Sequence, residues 1–292
     1  MFLIQKVEEL VVTYDDGRKN IGEFILKNMD TIHTYSIQEI ATHTYTSKAS
    51  IVRFAKTLGY EGWKDLKKDL IREGQVEKEM ADVDFNYPFQ KGDTTSDIAT
   101  KIASLQIKTI EDTRDHLDLD QVVRCTNLIV RARRVMIFGI SPNTGVAELF
   151  RRKMLSIGKV VEISNSREMG MQAMRLDQHD VAIIVSYSGN NASVEPLNIV
   201  PYLRENNVPL IGITSGGDNL LRQSTDTILT MCSRERLYTK VANFSTEESL
   251  NYVFNVLFAS VFERQYEKND AYRQRSARQL EQGRLKNTDL KE

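Results

Sequence analysis

The stretch from Val185 to Asn191 reads VSYSGNN: an apolar run, VAIIV, stops at two serines, a glycine and two asparagines. That composition suits a tight turn full of hydrogen-bond donors. A hydrolase elbow would need G-x-S-x-G, but two residues before Ser188 stands Ser186 and two after it stands Asn190. The nucleophile reading is therefore excluded. A second turn, FGISPNTG from Phe138 to Gly145, would carry a dinucleotide fingerprint if it held G-x-G-x-x-G; of those glycines only Gly139 is present. A phosphate cradle survives, built from the hydroxyls and amides of Ser141, Asn143, Thr144, Ser186, Ser188, Gly189 and Asn191. The alternative is a pair of plain strand-to-helix turns.

A different chemistry is spelled out near the amino terminus. Ile37 to His43 has helical spacing, Thr44-Tyr45-Thr46 is a polar turn, and Ser47 is placed to cap a second helix that runs to Leu58 and ends at Gly59. This is helix-turn-helix grammar. On the second helix Ile51, Phe54, Ala55 and Leu58 share one stripe, so Ala49, Arg53 and Lys56 turn outward with Ser50 and Val52 on the flanks. From Thr44 to Tyr60 there are three cations and no Asp or Glu. A face without acids does not repel phosphate. Ser47, Lys48, Ser50, Arg53 and Lys56 are the candidates for contact with double-stranded DNA, against the alternative of a helical hairpin with a solvated basic face.

The elements that must position these groups fall into two halves. Up to about Gly74 the apolar residues keep helical spacing: Ile21, Phe24 and Ile25, then Ile37, Ile40 and Ala41, then the Ile51 stripe. Between Gly74 and Asp97 that rhythm lapses, and Pro88 and Gly92 punctuate it. Beyond it, short apolar runs at 135 to 140, 159 to 163, 181 to 188, 208 to 215 and 227 to 231 alternate with amphipathic helices. Runs of that kind are what a parallel sheet covered on both faces requires. The expected division is a helical bundle over 1–78, a linker over 79–97 and a doubly wound five-stranded α/β domain over 98–292. With strand order 2-1-3-4-5, the flavodoxin-like arrangement, the turns after strands 1 and 3 line one crevice at the switch point. Each should lead into a helix whose first amides face the gap. The charge-rich last two dozen or so residues are expected to fray.

Composition narrows the classes further. A chain of 292 residues with 41% hydrophobic content can fill a substantial core. Its net charge of -1 excludes a general nucleic-acid coat but not one basic face. The apolar runs are too short to span a bilayer, and acidic residues interrupt the start MFLIQKVEEL, so a cytoplasmic protein is expected. Cys125 and Cys232 are distant singletons, and His33, His43, His116 and His179 form no ligand pattern, so neither a disulfide framework nor a metal site is expected.

The run from Ser36 to Lys67 resembles the amino-terminal helix-turn-helix of RpiR-type bacterial transcriptional regulators. Its V-x-R-F-x-x-x-L-G-[FY]-x-G-[FW] signature is matched by Val52, Arg53, Phe54, Leu58, Gly59, Tyr60, Gly62 and Trp63. The layout from about Ile98 to Gln265 resembles the sugar isomerase (SIS) domain that usually follows it. There the loop after the third strand reads S-x-S-G-x-T and grips a phosphosugar; Ser186, Ser188 and Gly189 match, while Asn191 replaces the threonine. The family's first loop, commonly G-x-G-x-S, is matched only by Gly139, with Ser141 and Asn143 at the later positions.

The resemblance implies a cytoplasmic regulator of transcription, a homodimer or homotetramer built through the SIS domain, which binds operator DNA and a phosphosugar effector and needs no cofactor. Some SIS enzymes use a glutamate near a helix start as base, and Glu247 or Glu248 is nominally placed. Ser245-Thr246-Glu247-Glu248 reads better as a capping box in which Glu248 reaches back to the Ser245 amide, so no catalytic residue is expected. The rival readings are a phosphosugar isomerase with a fused helical domain and a regulator whose SIS domain only dimerises.

Overall fold

The computed structural model describes residues 3–79 and 83–281. The chain divides into two units, Met1–Lys108 with Arg234–Ser245, and Thr109–Ser233 with Thr246–Glu292. Residues 98–108 and 234–245, which the sequence pattern gives to the second domain, group with the first. The helix Thr95–His116 runs unbroken through position 98 and through the division at 108/109. Within the expected linker, residues 80–82 lie outside the described residues, as do 282–292 of the charge-rich end. Asp84 turns the backbone by accepting from the amides of Asn86 (2.8 Å) and Tyr87 (3.0 Å).

The first unit is helical: α1 (Leu3–Thr13), α2 (Gly17–Lys27), a 3-10 turn at Met29–Thr34, α3 (Ile37–His43), α4 (Lys48–Thr57), α5 (Trp63–Glu79) and the start of α6 (Thr95–His116). Local chemistry fixes the helix ends. Asp16 caps α2. Ser36 and Glu39 form a reciprocal capping box on α3, with Glu39 accepting from the Ser36 amide at 2.7 Å and Ser36 Oγ from the Glu39 amide at 3.2 Å. Ser47 Oγ caps α4 by accepting from the Ser50 amide at 3.1 Å. Gly59 ends α4 at φ +88, where a side chain would be strained. The stripe Ile51, Phe54 and Ala55 packs with Leu3, Val7, Ile21, Ile25, Ile40, Trp63, Leu66 and Leu70 into one core. Phe54 has no exposed surface, and burial of such a ring contributes about 1.5–3 kcal/mol.

The second unit continues through α7 (Leu119–Arg131), β1 (Val135–Phe138), α8 (Asn143–Ser156), β2 (Val161–Ile163), α9 (Met169–Met174), β3 (Val181–Val185), α10 (Val200–Glu205), β4 (Leu210–Thr214), α11 (Leu220–Ser224), β5 (Ile228–Thr230), α12 (Phe244–Arg264) and α13 (Tyr266–Glu281). The five strands pair in parallel in the order β2-β1-β3-β4-β5, as the pattern predicts. In the register, Ile137 faces Ile183 and Ile183 faces Ile211. Along β3, Val181, Ile183 and Val185 join the cluster with Ile129, Phe150 and Phe254, while Ala182 and Ile184 join the one with Met169, Leu203 and Leu221. Both faces of β3 are therefore covered, which is why its sequence lacks a polar alternation. Among the described residues no helix is long and apolar enough to cross a membrane.

One expected element is absent. No helix opens after Ser186 to Asn191; the chain turns through residues 186–196 and becomes helical only at Leu197 and then α10. Asn191 Oδ1 accepts from the Ser193 amide at 3.0 Å, and Pro196 biases the preceding Glu195 away from helix.

Candidate nucleic-acid interface and anion-binding loops

The outer face of α4 is assembled by its own cap. Ser47 Oγ stands 3.0 Å from Ser50 Oγ, and Arg53 Nη2 donates to Ser50 Oγ at 3.3 Å. Ser47, Lys48, Ala49, Arg53 and Lys56 are exposed, and Ser50 is half-buried. All the candidates named from the sequence thus lie on the side of α4 away from the core. Preceding them, Tyr45 holds the turn at φ +52 with 95% of its surface exposed, a backbone state uncommon for a bulky residue.

A cleft along α4 reveals what sequence reasoning missed. It is lined by Ser50, Arg53, Lys56 and Thr57 on one side and by Asp16, Gly17 and Arg18 from the start of α2 on the other. Arg18 grips Asp16 with Nε at 3.0 Å from Oδ1 and Nη2 at 2.6 Å from Oδ2, and its guanidinium lies 3.3 Å from the centroid of the Tyr14 ring. Hydrogen bonds from the Arg18 side chain and then its amide hold the Asp16 carboxyl down at about 2. Asp16 is thereby an internally compensated cap, and the cleft keeps Arg53 and Lys56 as cations with no ion pair among the described contacts. The signal was present in Asp-Asp-Gly-Arg-Lys at positions 15 to 19, an N-cap acid followed by two cations, but the apolar rhythm that marks α2 begins only at Ile21.

In the second unit β1 and β3 are neighbours, so the turns that follow them share the carboxyl edge of the sheet. A Cβ built on Gly139 would lie 3.5 Å from the Val185 carbonyl oxygen and 3.7 Å from Asn143 Cβ, so the first turn passes close to the end of β3. The β3 turn folds on itself, with the Gly189 amide donating to Ser186 Oγ at 3.2 Å. Gly189 has φ +62, and a Cβ on it would come within 2.8 Å of both Asn219 Oδ1 and Thr214 Oγ1. That crowding is itself bonded: Asn219 Nδ2 donates to Thr214 Oγ1 at 3.0 Å, and Thr214 Oγ1 donates to the Tyr187 carbonyl at 3.1 Å. Ser186 and Ser188 are half-buried, Asn191 exposed, Asn143 and Thr144 half-buried, and Ser141 exposed. The amino end of α8 is at this edge, but the β3 turn brings no helix end of its own, so half of the expected amide contribution is lost. At the end of β4, Ser215 Oγ is buried without a hydrogen bond, a hydroxyl the sequence pattern did not single out.

The capping box expected at Ser245 does not form. The helix begins one residue earlier, at Phe244, and the Ser245 amide donates to the Glu235 carboxylate instead of Glu248. A buried acid distant in local sequence wins over the short-range partner because it needs the amide for its own solvation. Cys125 and Cys232 are free and buried, and burial pushes the Cys125 thiol up to about 12.

Comparison with known proteins bears on both constellations. Residues 1–77 match the helix-turn-helix domain of the rpiR family, and residues 128–259 match the SIS domain. An uncharacterized HTH-type transcriptional regulator of Clostridium perfringens is 27% identical over 267 residues, covering 91% of this chain and 94% of that protein. The Vibrio vulnificus NanR protein, solved in complex with ManNAc-6P, superposes with a TM-score of 0.58 at 20% identity over 94% of this chain and 96% of its own. The sugar isomerase domain of an RpiR transcription factor from Sphaerobacter thermophilus gives 0.53 at 17% identity, covering 62% and 98%.

Proposed function

Because the chain belongs to the rpiR family of helix-turn-helix transcriptional regulators, a DNA-binding helical unit followed by a SIS domain, we propose that α4 reads operator DNA while the β1 and β3 turns hold a phosphosugar. The observation that carries the first part is the exposed, acid-free face of Ser47, Lys48, Arg53 and Lys56, with Ser50 bridging cap and guanidinium. Arg53 is placed for a guanine edge or a phosphate, and Ser47 and Lys48 for the flanking strand. One helix in one groove gives modest affinity, so the working species is a homodimer or homotetramer on a two-fold site. In functional terms we assign DNA reading to 1–78, connection to 79–97 and sensing to 98–292, in the cytoplasm.

For the second part, Ser141, Asn143, Thr144, Ser186, Ser188, Gly189 and Asn191 offer hydroxyls, amides and one helix start to a phosphate. The NanR complex with ManNAc-6P supports a hexosamine 6-phosphate or a near relative as effector. In this reading the protein senses the compound without transforming it, in keeping with relatives that are named as transcriptional regulators. One finding favours a second reading, in which the SIS domain only dimerises: the β3 turn lacks the helix start that would complete the cradle.

Thermal unfolding of the parent across ManNAc-6P and related hexose phosphates decides between them, with product analysis on the same mixtures. Stabilisation without turnover supports the sensor, because a ligand that binds only the folded state must raise its stability. Turnover identifies an isomerase, and no shift with any sugar leaves the dimerisation reading. Ser188→Phe should remove the shift and leave basal operator binding intact.

A further inference from the structure

The segment Arg234–Ser245 lies between β5 and α12 in sequence yet belongs to the first unit. Its anchorage there is unusually polar and buried. Glu8 of α1, 2% exposed, accepts from the Leu237 amide and from the Thr239 hydroxyl, the latter at 2.6 Å. Gln5, one turn earlier on the same helix, donates from its side-chain amide to the Glu235 carbonyl. Asn86 accepts from the Arg236 amide at 2.6 Å through Oδ1 and from the Val241 amide at 3.0 Å through its carbonyl. The Glu235 carboxylate, itself on the segment and 1% exposed, takes the Ser245 amide and the Lys240 ammonium (3.4 Å). Burying two carboxylates is costly unless their acceptors are satisfied, so each holds the segment to one arrangement.

Each end of this arrangement reaches a functional element. On one side, α1 carries Leu3 and Val7 into the same core as Ile51 and Phe54 of α4. On the other, the residue that precedes the segment, Ser233, accepts the Tyr187 hydroxyl on its carbonyl at 2.7 Å and pairs its own hydroxyl with Thr246 at 2.9 Å. Tyr187 stands between Ser186 and Ser188, in the turn assigned to the effector phosphate.

We propose that residues 234–245 form a strap through which occupation of the Ser186 to Asn191 turn alters the helix-turn-helix, with Glu8 and Tyr187 as its two fastenings. The inference rests on the effector reading of that turn. A ligand that draws Ser186 and Ser188 toward a phosphate displaces Tyr187 between them, and the hydroxyl it shares with Ser233 moves the entry to the strap. The strap cannot follow without disturbing the bonds to Glu8 and Gln5, and α1 passes the change into the core under α4. A segment pinned by several hydrogen bonds to buried groups switches between discrete arrangements instead of deforming gradually, which is what a coupling element needs.

The test uses the full chain in three variants, Glu8→Gln, Thr239→Val and Tyr187→Phe, each near the parent in volume, with folding verified by circular dichroism. Amide hydrogen exchange is followed by mass spectrometry without any ligand. Losing one fastening should speed exchange about tenfold in 234–245 and also at the far fastening. Thus Glu8→Gln and Thr239→Val should loosen 185–191, and Tyr187→Phe should loosen 3–13, while β1 and α8 keep parent rates. Changes confined to the neighbourhood of each substitution overturn the strap. Where the parent's operator affinity responds to ManNAc-6P, Glu8→Gln should bring that response, typically about 5- to 150-fold between coupled sites, close to unity with unchanged sugar affinity. A full response in Glu8→Gln also overturns it. A parent that no hexose phosphate stabilises defeats the effector reading, and the exchange result judges the strap independently.

Discussion

Arg53 donates to the hydroxyl of Ser50 at 3.3 Å, across a single turn of α4. The bond is long for a hydrogen bond and uses one of five guanidinium protons, so it aims the side chain without exhausting it. Arg53→Ala should therefore weaken operator binding by about 1–3 kcal/mol, the usual worth of a base contact, with no change in the thermal midpoint. Fluorescence anisotropy at fixed salt measures it. Equal affinity in variant and parent would remove α4 from the DNA.

Arg18 presents a different case, because its position beside α4 at the start of α2 suits a phosphate better than a base. Arg18→Ala should weaken binding to specific and non-specific duplexes alike and lower the slope of log K against log salt by about 1. The loss has a second source: without Arg18, the Asp16 carboxyl no longer has the partner that holds it near 2 and stands as an uncompensated acid facing the cleft. A variant that loses affinity only for the specific operator would make Arg18 a base reader instead.

How far the sequence foretold this arrangement depends on the range of the forces involved. Ser36, Glu39, Ser47 and Gly59 act within one helical turn, and the helix ends they set are where the pattern puts them. The strands were equally legible, since Val181 to Val185 is apolar throughout and a run of that kind needs two covered faces. The lost helix after β3 was not, because Asn191 and Pro196 favour turns over a family pattern that would start a helix. Ser245 misleads for the opposite reason: its local partner Glu248 is displaced by Glu235, ten residues away, which only the tertiary fold brings near. The start of α2 is legible in Asp-Asp-Gly-Arg-Lys, but the place of Arg18 beside α4 comes from packing, which that local pattern does not specify.

Gly189 allows a test of the β3 turn that does not depend on knowing the sugar. Its φ of +62 already disfavours a side chain, and the Cβ of alanine would press to 2.8 Å on Asn219 Oδ1 and Thr214 Oγ1. Both atoms are held in place, Thr214 Oγ1 by accepting from Asn219 Nδ2 and Asn219 Oδ1 by accepting from the Arg222 amide. Gly189→Ala should cost about 1–3 kcal/mol in urea unfolding and abolish any thermal shift with phosphosugars. Asn219→Ala removes one of the opposing atoms, so the double variant should recover part of the stability. If Gly189→Ala is as stable as the parent, the turn does not hold the conformation described.

The opposite edge of the sheet carries a pH-dependent clamp. Asp180, just before β3, has a fully buried carboxylate that accepts from Arg133 (Nη2 2.9 Å, Nε 3.1 Å) and Arg134 (Nη2 3.2 Å), the two residues that precede β1. Burial by itself raises this carboxyl, but the bonds from Arg133 and then Arg134 outweigh it, and the group titrates below its ordinary range. A folded value below the unfolded one means that the stabilisation is complete above about pH 4, the ordinary aspartate value, and drains away as the pH falls through the lower folded value. Asp180→Asn should cost about 2–4 kcal/mol at pH 7, less than for a wholly buried pair because Arg133 is half exposed. Urea unfolding of parent and variant at pH 7 and at pH 3 checks both halves of the argument, since the gap between them must narrow in acid. A gap of the same size at both values would mean that the bonds to Arg133 and Arg134 do not set the charge state of Asp180, and that the junction of β1 and β3 is held by packing alone.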